Sequence, residues 1–323
     1  MENQTMNKRV YGVIGIKSVM ANWNADFSGY PRTTSENETF GSDKALKYPI
    51  KKMWQNEGEK VLYIKTYNKK FQPMSLTEKY NLLFSESPLQ KKEKDKKTKN
   101  DKENIEYKNN LIKNLFSCID VKNFGCTFAP QVDGNNISIT GALQIAQGFN
   151  KYEDSTPQVM DITSPFPTKE GDSQTSIGKK IVSNEAHYAY YFVINPDAYA
   201  DFVEMGVTDG YSEEDYQRFK EAALTSATSF NTNSKVGCEN ELAVFVETDK
   251  NTYLPDLSQY VFFEKSDNED ENDTIKLNFG GILNDVKDKI QSIEIYYNPY
   301  TTKVVADISN AKMMNIFTQD EVK

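Results

Sequence analysis

Histidine occurs once in these 323 residues, at His187, and cysteine three times, at Cys118, Cys126 and Cys238. A single histidine excludes a histidine-built metal centre. Sparse cysteines with no Cys-x-x-Cys pair exclude a disulfide framework and a structural zinc site. Carboxylate-bound magnesium is the metal chemistry that stays open, and no metal or cofactor is expected. Arginine is confined to Arg9, Arg32 and Arg218, so nearly all cations are lysines. No run of eighteen apolar residues occurs, so no membrane-crossing helix is expected. Residues 1–9 are polar and lead into a strand-like segment without an apolar signal core, an expectation of cytoplasmic residence. No Walker or dinucleotide glycine pattern appears.

What is present is the material of a folded chain: 38% hydrophobic residues, with 19 Tyr and 18 Phe. The net charge of −9 hides an asymmetry. Residues 1–113 carry 22 Lys+Arg against 14 Asp+Glu, a balance of +8, and residues 114–323 carry 16 against 33, a balance of −17. Such a split gives either one face for a polyanion and another for basic neighbours, or merely uneven surface composition.

Residues 9–19 are rich in β-branched side chains and predict a buried strand. Residues 21–42 follow neither helical nor strand period and predict a long loop. Ser42 and Asp43 then cap a helix to about residue 57, with Leu46, Ile50, Met53 and Trp54 on one apolar stripe and Lys44, Lys47, Lys51 and Lys52 off it. Pro49 predicts either a kink or a later helix start. Ser75-Leu-Thr-Glu78 is a capping box opening a short helix over 75–84. Residues 91–102, with seven lysines and three acids, predict a charged surface insertion within about 86–110. Helical spacing resumes at Ile105.

Strands are predicted at 123–129, 137–145 and 187–194, the first two joined by Asp133-Gly-Asn. Between them and the third lies a Pro/Ser/Thr/Gly-rich stretch, 146–183, which predicts an arm projecting from the sheet. A helix from Ser212 to about residue 230 and strands at 241–247 and 259–264 follow. An acidic loop covers 264–273, a short helix 282–290, and a closing hairpin joins 293–297 to 304–308. The succession predicts an α+β fold with a ferredoxin-like, RRM-like split βαβ core. One domain over 1–323, carrying the lysine-rich and arm insertions, is expected. The aromatic-glycine signature of an RNA-recognition motif is missing, so two-base stacking on the sheet is not expected.

Four stretches, in this order, resemble the CRISPR-associated Cas-seven family, the backbone of Cascade. They are Arg9-Val-Tyr-Gly-Val-Ile-Gly-Ile-Lys-Ser-Val-Met-Ala-Asn-Trp-Asn-Ala-Asp26, then Gly29-Tyr-Pro-Arg-Thr33 with the basic helix from Phe40 to Lys52. Next comes Asp120-Val-Lys-Asn-Phe-Gly-Cys-Thr-Phe128, with Lys122 where the family has arginine. Last are Thr140-Gly-Ala-Leu-Gln144 and Ser176-Ile-Gly-Lys-Lys180, at the borders of the family's thumb. The first two stretches look most like the type I-B branch.

The resemblance implies a non-catalytic subunit that oligomerises along CRISPR RNA, its thumb pressing over the guide while bases stay open to target DNA. Implied partners are copies of itself, Cas-five, Cas-six and Cas-eight type subunits and a small subunit. Phosphate contacts are expected from Lys44, Lys47, Lys51, Lys52 and Arg32. Asn22, Asn24 and Gln144 are further RNA candidates, and Gly178 with Lys179 and Lys180 would admit close RNA approach. Met160, Ile162 and Phe166 on the arm would either wedge against bases or pack on a neighbour. The alternative is a metal-dependent endoribonuclease like type III backbone subunits, with Asp26 as its carboxylate. His187, without a nucleophile beside it, is expected to be packed or surface-exposed rather than a catalytic base.

Overall fold

The computed structural model describes residues 5–89, 101–130, 136–163, 176–268 and 270–322. The chain begins with β1 (Lys8–Ala21), β2 (Phe40–Gly41), α1 (Asp43–Asn56) and α2 (Leu76–Leu83). Then come α3 (Asp101–Phe116), α4 (Ile119–Phe124), β3 (Gly125–Phe128), β4 (Ile137–Thr140), β5 (Leu143–Ile145), β6 (Gly148–Asn150), β7 (Pro157–Thr163) and β8 (Ser176–Ile194). The last third holds α5 (Ala200–Glu204), α6 (Glu213–Thr225), β9 (Cys238–Asp249), β10 (Val261–Glu264) and β11 (Asp273–Leu277). It closes with α7 (Gly280–Asp285), β12 (Ile290–Tyr297), β13 (Thr302–Ala306) and β14 (Lys312–Asn315).

The fold is mixed α+β, organised around β1. This strand pairs antiparallel with β8 on one side and β9 on the other, within the order β14-β12-β9-β1-β8-β6-β2. Its apolar run is explained by burial on both faces. Val10, Ile14 and Ile16 point into a core shared with α1, α3, α4 and α6. Tyr11 and Val13 point the other way, into a second core closed by Leu277, Phe279 and Leu283. That second layer is the sheet β10-β11-β13 with α7. It covers the face of the main sheet opposite the helices.

Several predicted elements are corrected. The helix capped by Ser42 is not among them: it begins at Asp43, where Ser42 Oγ accepts the Ala45 N–H, and runs through Pro49 rather than starting there. The strand predicted at 123–129 is preceded by α4, which stops at Gly125, and the one at 137–145 breaks at Gly141 into β4 and β5. The helix predicted over 282–290 ends at Asp285, followed by a 3-10 turn, Lys287–Lys289. The closing hairpin does not form. β12 joins the main sheet beside β9 and β14, whereas β13 runs parallel to β11 in the second sheet. A turn signal specifies reversal of the chain, not which neighbour the next strand meets. The tract 90–100 and the Asp133-Gly-Asn turn lie outside the described residues; helix resumes at Asp101.

β8 is continuous over 19 residues. Its inner part pairs with β1, and its outer part, from Ser183 back to Ser176, pairs with β7 to make the arm. His187, on the inner part, is 3% exposed. Its Nδ1 lies 2.8 Å from a Glu241 carboxylate oxygen, its Nε2 3.1 Å from Glu185, and its ring stacks on Phe263 at 3.6 Å. Lys265 bridges Glu185 and Asp273, so the cluster fastens the main sheet to the second.

Burial opposes the imidazolium, but Glu241 and Glu185 outweigh it and raise the His187 pKa above its ordinary 6.5. A raised folded-state pKa contributes stability that is fully present below about pH 6.5 and lost as pH rises through the folded value. Glu185, held down to about 2 chiefly by its bond to His187, contributes above its ordinary 4.5 and loses that contribution as pH falls toward 2. Melting temperatures across this range should therefore show His187→Gln losing the alkaline decline that the native chain displays. Identical profiles would contradict the assignment.

Candidate nucleic-acid interface

After β1 the chain folds back on itself through isolated bridges between Ala25 and Pro31 and between Thr33 and Thr39. Asn22 is buried. Its amide donates to Gly29 O at 2.9 Å and to Ile181 O at 3.1 Å, tying this loop to the base of the arm. The Lys235 ammonium donates to the carbonyls of Asn22 and Trp23. Trp23 Nε1 in turn donates to the Tyr190 hydroxyl at 2.6 Å, and Gly41 packs flat over this pair, where a Cβ would overlap the hydroxyl. Asn24 Oδ1 accepts the Ser42 N–H at 2.8 Å, and Arg32 N–H donates to Asn24 O at 2.9 Å. The loop is thus locked against the start of α1.

The product is an open cleft of about 660 Å³ lined by Asn24, Arg32, Phe40, Asp43, Lys44 and Gln147, among others. Arg32 Nε is buried there without a hydrogen-bond partner. Asp43 is met by Lys47 at 3.0 Å and Lys44 at 3.5 Å. Burial works against its carboxylate, yet these lysines hold its pKa below the ordinary value. With Asp43 neutralised by Lys47, the cleft's surplus charge belongs to Arg32 and to Lys44, whose side chain is 87% exposed. The first turn of α1 adds the partial positive charge of its N–H groups. A guanidinium with an unused donor beside an exposed ammonium, paired only at 3.5 Å with Asp43, suits a phosphodiester oxygen.

Of the sequence-predicted residues, Asn24, Arg32 and Lys44 meet at this cleft, and the others do not. Lys51 turns inward: it lies 3.8 Å from buried Asp120, donates to Tyr63 O at 3.4 Å and sits over the Phe124 ring. Burial lowers its pKa, with Asp120 opposing. Lys47 also lies over Phe124, at 5.1 Å. Lys52 donates to the Gln55 amide oxygen. Asn22 braces the loop rather than facing solvent. Gln144 is exposed on β5 and donates to Gly141 O.

The arm forms a separate surface. β7 is exposed along its whole length. Met160 pairs with Lys180, Asp161 with Lys179 and Ile162 with Gly178. Paired residues share a face and alternate along the strand. One face of the arm therefore carries Met160, Ile162 and Lys180 together, beside the bare backbone of Gly178, and the other carries Lys179. Phe166 lies outside the described residues.

Asp26 has a local duty. Its Oδ1 accepts the N–H groups of Ser28 at 2.8 Å and Tyr30 at 2.9 Å, holding the turn. Among the described residues no group of three His, Cys, Asp or Glu side chains is placed to hold a metal ion. Sequence reasoning passed over three features. Phe27 stands fully exposed at the tip of the same turn, and Phe40 pairs with Phe149 at 6.1 Å beside the cleft. Gln147, whose Oε1 accepts the Asp43 N–H at 3.3 Å, follows the break after β5 and carries no motif.

The model of the family described as CRISPR-associated protein Cas7 matches residues 8–279. A chain of a solved structure described as "CRISPR RNA-guided surveillance complex, pre-nicking" shares the fold with a TM-score of 0.56 at 13% identity, covering 95% of this chain and 96% of that one. A second, described as "CRISPR RNA-guided surveillance complex", gives 0.46 at 11% identity over 96% and 93%. No curated protein matches the sequence.

Proposed function

The chain belongs to the CRISPR-associated protein Cas7 family, and from that premise we propose that it is a non-catalytic backbone subunit binding CRISPR RNA. It lines up with copies of itself along the guide in a type I-B Cascade complex and presents the bases to target DNA. Cas-five, Cas-six and Cas-eight type subunits and a small subunit complete the assembly in the cytoplasm. Base pairing reads the sequence and this chain holds the strand's shape.

The observation that carries this reading is the cleft at the start of α1, where Arg32, its buried Nε without a partner, stands with the exposed ammonium of Lys44. A guide phosphate meets the Arg32 guanidinium and the Lys44 ammonium in this cleft. The arm, with Met160 and Ile162 on the face of Lys180, supplies an apolar edge to set against a displaced base. The order β9-β1-β8-β6, with α1 and α6 in the crossovers, supports a split βαβ, RRM-like core within one domain bearing two insertions. RNA is then met at the sheet's margin, since the second layer covers the remaining face.

The alternative, an Asp26-dependent ribonuclease, has less support because that carboxylate is occupied by its own turn. Arg32→Ala and Lys44→Ala should each weaken single-stranded RNA binding about tenfold, the scale of one charged hydrogen bond. Denaturing gels with magnesium should show intact RNA. Products that vanish in Asp26→Ala would contradict the non-catalytic reading.

A further inference from the structure

The connection between α1 and α2 carries a second cationic and aromatic surface. No Asp or Glu occurs between Glu59 and Glu78, a stretch containing Lys60, Lys65, Lys69 and Lys70. Within it, Met74 N–H donates to Thr66 O at 2.8 Å and Asn68 N–H to Gln72 O at 2.9 Å, closing a hairpin. Asn68 Oδ1 accepts from the N–H groups of Lys70 and Gln72 and fixes its turn. Phe71 is held there at φ 58°, a left-handed conformation that costs a bulky side chain energy. Phe71 is nevertheless 85% exposed, and Tyr67 54%. The Lys65 ammonium sits 4.9 Å from the Tyr67 ring centre. Lys79 braces the hairpin from α2 through Thr66 Oγ1 at 3.0 Å.

Single exposed aromatics are ordinary. A strained turn that presents two exposed rings, with Lys65 on one of them, Lys69 and Lys70 exposed in the same hairpin and a single carboxylate, Glu78, reaching Asn68 from α2, is not accounted for by packing. We infer that the hairpin of residues 65–73 is a second nucleic-acid contact, which stacks unpaired bases on Phe71 and Tyr67 while Lys65, Lys69 and Lys70 meet the phosphates. The ligand is a single strand, because only unpaired bases offer their faces to aromatic rings. The hairpin shares no residue with the cleft, although the segment leading into it returns along α1, where Lys51 Nζ lies 3.4 Å from Tyr63 O. The inference rests on the hairpin's own chemistry and is independent of the cleft.

The test uses the full chain and fluorescein-labelled single-stranded oligonucleotides, with the matching duplex as control, followed by anisotropy at about 50 mM salt. Phe71→Gly keeps the left-handed turn and removes the ring. Combined with Tyr67→Ala it should weaken single-strand binding about tenfold or more, the range for loss of base stacking. Melting temperature and duplex binding should stay unchanged. Lys69→Gln with Lys70→Gln should flatten the salt dependence. Photocrosslinks from 5-iodouridine should fall within residues 65–79.

Single-strand affinity unaltered in the Phe71→Gly/Tyr67→Ala chain would overturn the inference, as would no measurable single-strand binding by the native chain. Weakened association between protein copies with strand affinity intact would likewise overturn it and make the hairpin a protein contact. Arg32→Ala, measured in parallel, keeps the two sites distinct. Loss there with the hairpin variants unaffected would leave the guide reading standing alone.

Discussion

Asp120→Ala is expected to destabilise the fold by about 3–5 kcal/mol, the scale of breaking a buried charge pair. Asp120 is 1% exposed. Its oxygens accept the N–H groups of Leu62 at 2.9 Å and Tyr63 at 2.7 Å, and Lys51 approaches to 3.8 Å. Alanine would leave two backbone donors without an acceptor and the inward-facing Lys51 ammonium without its nearby carboxylate, and unmade buried bonds cost more than made ones contribute. The effect should reach the cleft, because Lys51 and Lys47 lie over Phe124 and so fix α1 on α4. Urea denaturation measures it. Asp120→Asn, which preserves volume and one acceptor, should recover part of the loss. A change below about 1 kcal/mol for alanine, the scale of an exposed pair, would contradict this account.

Gly125→Ala should cost about 3 kcal/mol or more, through strain and overlap together. Gly125 ends α4 at φ 72° and ψ −174°, a region essentially reserved for glycine. A Cβ there would overlap the Ile139 carbonyl oxygen and the Gly141 nitrogen, both backbone atoms that cannot rotate away. Gly141 opposes it in the same tight approach, against the backbone of Phe124 and Asn123. Gly125→Ala and Gly141→Ala should therefore be less than additive, since either one forces the same strands apart. Thermal unfolding of the two single variants and the double variant measures this. Full additivity would mean the glycines act separately.

These residues show what the sequence carried and what it withheld. The stretch Asp120–Phe128 was legible as a family resemblance, but its physical meaning was not. Asp120 caps a remote loop, Asn123 is buried and accepts from the Tyr211 hydroxyl, Phe124 stacks on Trp54 and Gly125 makes the bend. Each role depends on a partner distant along the chain. The same distance misdirected the lysines of α1. Helical spacing placed Lys47 and Lys51 off the apolar stripe, and nothing local announced that Asp120 and Phe124 would cover that face.

Local signals fared better. Ser75 and Glu78 form both bonds of the capping box, and the apolar run of β1 is buried on its two faces. Prolines and hydroxyl residues marked an interruption over 146–183, but that span took in β6, which lies in the main sheet, together with β7 and the outer part of β8. The arm's outer strand, exposed on both sides, gave no periodic signal of burial to fix where β8 begins. The C-terminal strands were found as strands but given the wrong partners, since β13 leaves the main sheet for the second layer. At the cleft, Arg32 and Lys44 were legible by charge. Gln147 came from another segment and was not.

The central claim is that this chain holds a single strand of RNA through its phosphates, and one titration tests it most directly. The purified full chain is bound to single-stranded RNAs of graded length, at increasing salt, beside Arg32→Ala. The account predicts affinity that rises with length as further copies join and weakens steeply with salt, with a shallower slope for the variant. Absence of binding even at low salt, or binding indifferent to both salt and Arg32, would contradict it.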